Sequence, residues 1–391
     1  MTVEGGRVYI TEKYKGAPFG LSIVNPVKAG PFDLENTTTN HPPCDCVVVR
    51  AKIEIDPLTT QLTVTTDKEG PYAIPHMIEG IPVQIKRVNV QINRPNFTFN
   101  PTNCSPLQIN AAITSDEGAT APLSVPFQAT NCATLAFKPA FAASTSAKTS
   151  KANGASLSVK LSYPKAAPGS QTNIAVAKVD LPKQLPSRLT TLQKACLAKV
   201  FEANHESCPA ASIVGHAKVI TPLLPVPLEG PAYFVSHGNE AFPSLTIVLK
   251  GYGVSVELIG STFIKNGITS NTFKATPDAP FSSFELTLPQ GPNSALAANG
   301  NLCKPTKTTT TKKRVAVKRK GRTIHLTKSV TSTSPTTLIM PTAFTAQNGA
   351  QVKQNTTISV SGCPKASKAK KKKPKAKAKK KGKKGKGAEK G

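Results

Sequence analysis

The sequence predicts an all-β protein: tandem immunoglobulin-like β-sandwich units with one short helix and a disordered basic C-terminal tail. Three observations lead there. Proline makes up 34 of 391 residues, well above the usual ~5%, and helix interiors exclude proline while turns and edge strands accept it. Apolar residues come in short β-branched runs separated by Gly, Pro, Asn and Asp. One stretch also occurs twice. Gly6–Val24 (GRVYITEKYKGAPFGLSIV) aligns without a gap on Gly230–Val248 (GPAYFVSHGNEAFPSLTIV), with Gly6/Gly230, Tyr9/Tyr233, Ala17/Ala241, Leu21/Leu245, Ile23/Ile247 and Val24/Val248 identical. A repeat of this kind implies stacked or tandem units, and the strand count is that of a Greek-key sandwich.

The elements follow in order. Residues 1–135 form a first β-rich repeat unit that lacks its N-terminal part. Its strands are read at Val47–Ile55, Gln61–Thr66, Val83–Ile92 and Pro95–Phe99, then a hairpin from Leu107–Thr114 and Leu123–Thr130 around Asp116-Glu117-Gly118. The matching place in the second copy is Gln347-Asn348-Gly349, and Asn-Gly is a strong hairpin signal. Residues 136–158, small and polar, read as a linker or domain edge. Residues 159–363 form the second unit. After a strand at Asn173–Leu181 comes the helix, about 188–204, with Leu189, Leu192, Cys196, Leu197, Val200 and Phe201 at helical spacing. Ser187 or Thr190 can cap its start, and Asn204 suits a left-handed end. Short strands resume from Ala217 to Leu288. The second copy then carries an insertion, 304–335, read as a basic hairpin turning near Lys320-Gly321.

No apolar h-region opens the chain, and Met1 falls in the middle of a repeat. It therefore reads as an internal start, a fragment edge or a misplaced gene start, and the lack of a signal peptide does not argue for the cytoplasm. No run approaches the ~20 apolar residues needed to span a bilayer.

The eight cysteines suggest bridges. Cys104 and Cys132 mirror Cys303 and Cys363, each pair bracketing the terminal hairpin, and Cys196 lies near Cys208 across the helix end. Such bridges persist in oxidising compartments. No metal is expected. The only residues that could form a soft site are His41, Cys44 and Cys46, which lack the second spaced pair a zinc site needs; a Cys44–Cys46 loop disulfide or a reactive pair is the preferred reading.

The net charge of +29 is uneven. The tail 364–391 holds fifteen Lys and one Glu, the stretch 304–328 ten Lys or Arg and no acid, and Lys353 one more. That leaves residues 1–303 near neutral. The tail cannot bury apolar area and is expected to be disordered. Its run of Lys370, Lys371, Lys372, Lys373, Lys375, Lys377, Lys379, Lys380, Lys381, Lys383 and Lys384 would attract polyanions without sequence preference, since it has neither an aromatic to stack a base nor Arg forks. The plainer reading is a solvated, solubilising tail.

Several stretches together resemble one group of proteins: YKGAPFGLSIVNPVKAGPFDL, VVVRAKIEIDPLTTQLTVTTD, RPNFTFNPTNC, ESCPAASIVGHAKVITPLLPVPLEGPAYFVSHG, PDAPFSSFELTLP and SALAANGNLC. The group is the secreted, tandem-repeat β-rich proteins of soil actinobacteria, for which no biochemical activity is established. The resemblance covers most of 6–303 and 336–363. It implies tandem β-rich units outside the cell, in a protein that carries a signal. The chain departs from the pattern at the Cys44/Cys46 insertion, the basic insertion and the start.

Catalytic motifs are not evident: no G-x-S-x-G, H-E-x-x-H or P-loop occurs. Gly251-Tyr252-Gly253 lacks the third glycine of a dinucleotide fingerprint. The six His (His41, His76, His205, His216, His237, His325) are scattered. Asp278, within Thr276-Pro277-Asp278-Ala279-Pro280, has no companion carboxylates for calcium and reads as a Pro-Asp turn. Asn36, Asn96 and Asn355 begin glycosylation sequons. The expected function is non-enzymatic and cofactor-free: an extracellular or cell-wall-associated structural or binding protein held to anionic cell-envelope polymers by its tail. The alternatives are an intracellular nucleic-acid-binding protein with a histone-like tail, and an enzyme with a dispersed site.

Overall fold

A computed structural model describes residues 5–364 except 27, 30–31, 34–45, 79, 96–97, 166–168 and 320–321. His41, Cys44 and the Lys-rich tail beyond 364 lie outside the described residues. Strand accounts for 51% of the chain and helix for 6%, so the all-β class holds.

The N-terminal module begins with β1 (Arg7–Thr11) and β2 (Phe19–Pro26), the short pair β3 (Lys28–Ala29) and β4 (Phe32–Asp33), then β5 (Cys46–Ile55) and β6 (Leu62–Thr66). Strands β1, β2, β5 and β6 make an antiparallel four-stranded sheet in that order. A second short pair follows, β7 (Met77–Ile78) and β8 (Ile81–Pro82), and then the hairpin β9 (Leu107–Thr114) and β10 (Thr120–Phe127). The run 83–92, expected as a strand, joins no ladder, and the expected strand 95–99 includes residues outside the described set.

The rest of the chain supplies β11 (Ala140–Ser146), β12 (Leu157–Ser162), β13 (Ile174–Asp180), α1 (Leu189–Leu192), β14 (Cys196–Leu197), α2 (Ala198–Asn204), β15 (Ile213–Ile220), β16 (Leu228–Ser236), β17 (Ser244–Gly251), β18 (Val254–Lys265), β19 (Ile268–Phe273), β20 (Ser283–Leu288), β21 (Thr306–Arg319), β22 (Arg322–Pro335), β23 (Ile339–Ala346) and β24 (Gln351–Ser361). Eleven of these strands form one ring in the order β16-β15-β20-β12-β11-β24-β23-β13-β19-β18-β17, closed by the β16–β17 ladder. An odd number of strands cannot alternate direction all round a closed ring. One neighbouring pair must be parallel, and it is β11–β24, with Ala143 opposite Ile358.

The closed barrel replaces the expected pair of sandwich sheets. Strand length and alternation are the same in both architectures; what differs is whether the two sheet edges meet, which strand tilt and stagger decide. The stretch read as a linker also changes role. Ala140–Ser146 is a stave of the barrel, with Ala143 and Thr145 buried. Small side chains there look like a linker by composition, yet they fit where staves pack closely.

The single expected helix is broken. After α1 the chain extends, Cys196 pairs in parallel with Val235, and α2 begins only at Ala198. Leu189 and Leu197, placed on the buried face by the helical spacing, are exposed, and Asn204 is extended rather than left-handed, its side chain accepting from the Glu206 N–H. The Cys196–Cys208 bridge joins the two ends of this segment, and the Cys196–Val235 pairing sets it against the barrel. Phe201 packs there with Tyr233, Val235 and Val248. Strand β17 is therefore covered on both sides: Leu245, Ile247 and Leu249 join the inner core and Val248 the outer cluster.

A plug of chain, 291–297, is held by Arg188. Its guanidinium donates to the carbonyls of Gly291 (3.2 Å), Pro292 (3.0 Å) and Ala152 (2.8 Å). Gly154, at φ +61°, lies against Leu296, and an added Cβ would sit 2.2 Å from that carbonyl oxygen. The basic insertion is a long two-stranded ribbon, Arg319 opposite Arg322, whose strands pair only with each other among the described residues.

Candidate functional site

Period-two alternation places one side chain in two inside the barrel. Leu157, Val159 and Leu161 on β12 line the interior, as do Val254, Val256 and Leu258 on β18 and Phe284, Leu286 and Leu288 on β20. Ala177 and Val179 on β13, Phe273 on β19 and Phe344 on β23 complete much of the wall. These side chains leave a cavity of about 790 Å³. Ligand sites fall in the range of about 300–1,000 Å³ and are mostly apolar with a few polar groups. Here the polar groups include Asn271, Thr276 and Asp278.

The N-terminal module contributes to this cavity. Ile10, Phe19, Ile53, Ile55, Leu62 and Phe99 all line it. Two contacts seat the module. Phe19 lies 5.7 Å, centroid to centroid, from Tyr252, and the Glu257 N–H donates to the Pro57 carbonyl at 2.8 Å. Tyr252 and Gly253, both at positive φ, form the β17–β18 turn. A Cβ on Gly253 would come within 3.2 Å of Pro18. The Gly251-Tyr252-Gly253 stretch, short of a dinucleotide fingerprint, is thus a turn between strands and a docking point.

Asp278 is the third clasp. Its Oδ2 accepts from the Thr102 N–H (2.6 Å) and from the Asn103 N–H (3.1 Å) and Nδ2 (3.0 Å). Its Oδ1 accepts from Thr102 Oγ1 (2.6 Å) and Asn173 Nδ2 (2.8 Å). An acceptor-only carboxylate saturated by five donors is a fastening between module and barrel. The sequence places Asp278 in a turn; its partners are 176 and 175 residues away in the chain. Nearby Tyr163 donates to the Thr172 carbonyl at 3.0 Å, and burial, followed by the Asp278 charge, holds its pKa far above the ordinary tyrosine value.

A second polar cluster sits inside the N-terminal module. Arg50 stacks 3.7 Å over the Tyr14 ring, Tyr14 donates to Asp67, and Lys15 lies 2.9 Å from the same carboxylate. Burial pushes the Asp67 pKa up, but the hydrogen bonds from Tyr14 and Lys15 and the charge of Lys15 outweigh it, so the net shift is downward.

The remaining expected residues are placed as follows. Bridges join Cys104 to Cys132, Cys196 to Cys208 and Cys303 to Cys363. Cys46 is also disulfide-bonded. His237 Nε2 is 3.5 Å from Ser244 Oγ, but that hydroxyl is buried and donates to the Val235 carbonyl. Among the described residues no three His, Cys, Asp or Glu side chains gather into a metal-binding group, and no helix is long and apolar enough to cross a membrane.

Fold and cavity together define a closed eleven-stranded β-barrel with an apolar interior. No protein-family model, curated protein or solved structure matches the chain.

Proposed function

We propose that this is a non-enzymatic extracellular binding protein whose barrel takes up an apolar small molecule, such as a long acyl chain. The observation that carries this reading is the cavity of about 790 Å³ walled by Val, Leu, Ile and Phe. Eight-stranded barrels can hold one small ligand in their interiors, and burial of apolar ligand surface contributes about 25 cal/mol per Å². Three disulfides fit an oxidising setting, as does the resemblance to secreted repeat proteins.

The test is saturable binding of cis-parinaric acid to the purified protein, followed by its fluorescence. One equivalent should bind and palmitate should displace it. Ala177→Trp, which puts an indole into the cavity from its wall, should weaken binding by about tenfold, or ~1.4 kcal/mol, with little change in thermal midpoint. Binding that does not saturate, or that ignores the Trp, removes this reading.

In the same proposal the Lys-rich tail holds the protein to anionic cell-envelope polymers. Deleting residues 364–391 should leave the midpoint unchanged and abolish retention on a teichoic-acid or heparin matrix at low salt, where clustered Lys acts strongly. Retention that survives would move the attachment to the basic ribbon of β21 and β22.

A further inference from the structure

The N-terminal module repeats the pairing of part of the barrel, register for register. Tyr9 faces Ser22 on β1–β2 as Tyr233 faces Thr246 on β16–β17. Ile23 faces Val49 as Ile247 faces Leu258. Ile53 faces Val64 as Thr262 faces Asn271. Ile109 faces Val125 on β9–β10 as Met340 faces Thr356 on β23–β24. Strands β1, β2, β5, β6, β9 and β10 thus answer to β16, β17, β18, β19, β23 and β24. The run 83–92 occupies the place of β20 in chain order.

In the barrel β16, β19, β23 and β24, and β20 with them, each have further neighbours. Strand β15 flanks β16, β13 lies between β19 and β23, β11 flanks β24, and β20 runs between β15 and β12. In the N-terminal module β1, β6, β9, β10 and 83–92 have no such neighbour among the described residues. Strands answering to β11, β12, β13 and β15 would pair with all of these open edges.

The side chains agree. Ile10 is 53% exposed where Phe234 is 4% exposed. Ile109 and Ile113 are 61% and 60% exposed, whereas their counterparts Met340 and Phe344 are 0% and 1% exposed. Residues of core character are thus exposed where no described strand covers them. Open apolar edges are liabilities that proteins cover by strand addition.

We infer that the N-terminal module is a docking face for the first half of a further barrel unit: a β-rich polypeptide segment bearing counterparts of β11, β12, β13 and β15. Such a segment would satisfy both the open backbone edges and the apolar face, whereas a lipid surface would satisfy only the face. A second copy of this chain is a poor donor, because its own four strands are held in its barrel on both sides.

The test is hydrogen exchange on the full chain, alone and after refolding with an equimolar polypeptide comprising residues 136–229, the chain's own set of these strands. Alone, amides of 84–92, 107–114 and 120–127 should exchange fast while β23 and β24 are protected. With the polypeptide, those segments should slow by about a hundredfold or more, as stable strands do. The double variant Ile109→Lys, Ile113→Lys should lose this slowing and leave barrel exchange unchanged. Protection of the same segments in the monomeric chain alone would overturn the inference, because the face would already be covered. A dimer protected there would overturn it in favour of a self-interface, and failure of the polypeptide to slow exchange would overturn it as well.

Discussion

Replacing Cys303 and Cys363 together with serine should lower the unfolding free energy of the barrel by about 4 kcal/mol, seen as a fall in the urea midpoint. The bridge spans 60 residues of sequence, and the loop-entropy relation gives a value of that order for such a loop. The enclosed segment contains β23 and β24, two staves that join β11 to β13 and so complete the ring. The Cys104–Cys132 bridge encloses only β9 and β10, which pair with each other. Its removal should lower the barrel transition by less than loss of Cys303–Cys363, because the loop it closes contributes no strand to the ring. An unchanged midpoint in the Cys303/Cys363 variant would show that the bridge does not form in the purified protein. Equal losses from the two variants would show that module and barrel unfold as one unit.

Asp278→Ala should release the N-terminal module while the barrel stays folded. The substitution leaves the N–H groups of Thr102 and Asn103 and the side chains of Thr102, Asn103 and Asn173 without their acceptor. Hydrogen bonds to a charged group contribute about 1.5–3 kcal/mol, and the shared acceptor makes the losses less than additive, so about 3 kcal/mol of docking energy is expected to go. Limited proteolysis should then cut within residues 68–103 well before the barrel is attacked. Asp278→Asn should fall between wild type and Ala, because an amide keeps one acceptor oxygen and turns the other into a donor. If neither variant changes the proteolytic pattern, Asp278 does not hold the module.

Much of the strand content is legible in the sequence because alternation is a local property. Leu107–Thr114 is a strand over the same residues that the pattern marks, and the basic insertion pairs β21 with β22 as an antiparallel ribbon. Failures come where context outweighs pattern. Val83–Ile92 has the β-branched run of a strand but joins no ladder among the described residues. Ala140–Ser146 lacks that run but is clamped between β12 and β24. The helical spacing of Leu189 to Phe201 is interrupted by the Cys196–Val235 pairing, a contact between residues far apart in the chain.

The candidate site was hidden for the same reason. Leu157, Val159 and Leu161 read equally well as the core of a sandwich or the wall of a barrel, and nothing in a strand says what lies opposite it. Asp278 and its partners are brought together from residues 102, 103 and 173, beyond the reach of any local motif.

The sequence by itself determined the β class, the cysteine spacing, the segregation of charge into an insertion and a tail, and the pairing of two similar stretches. These depend on neighbours along the chain and on composition. Only the tertiary structure decided that the sheet closes, that barrel and N-terminal module together line an apolar cavity, and that part of the N-terminal module has open strand edges among the described residues. Those outcomes depend on strand tilt, on stagger and on which strand lies beside which, quantities set by contacts between distant residues.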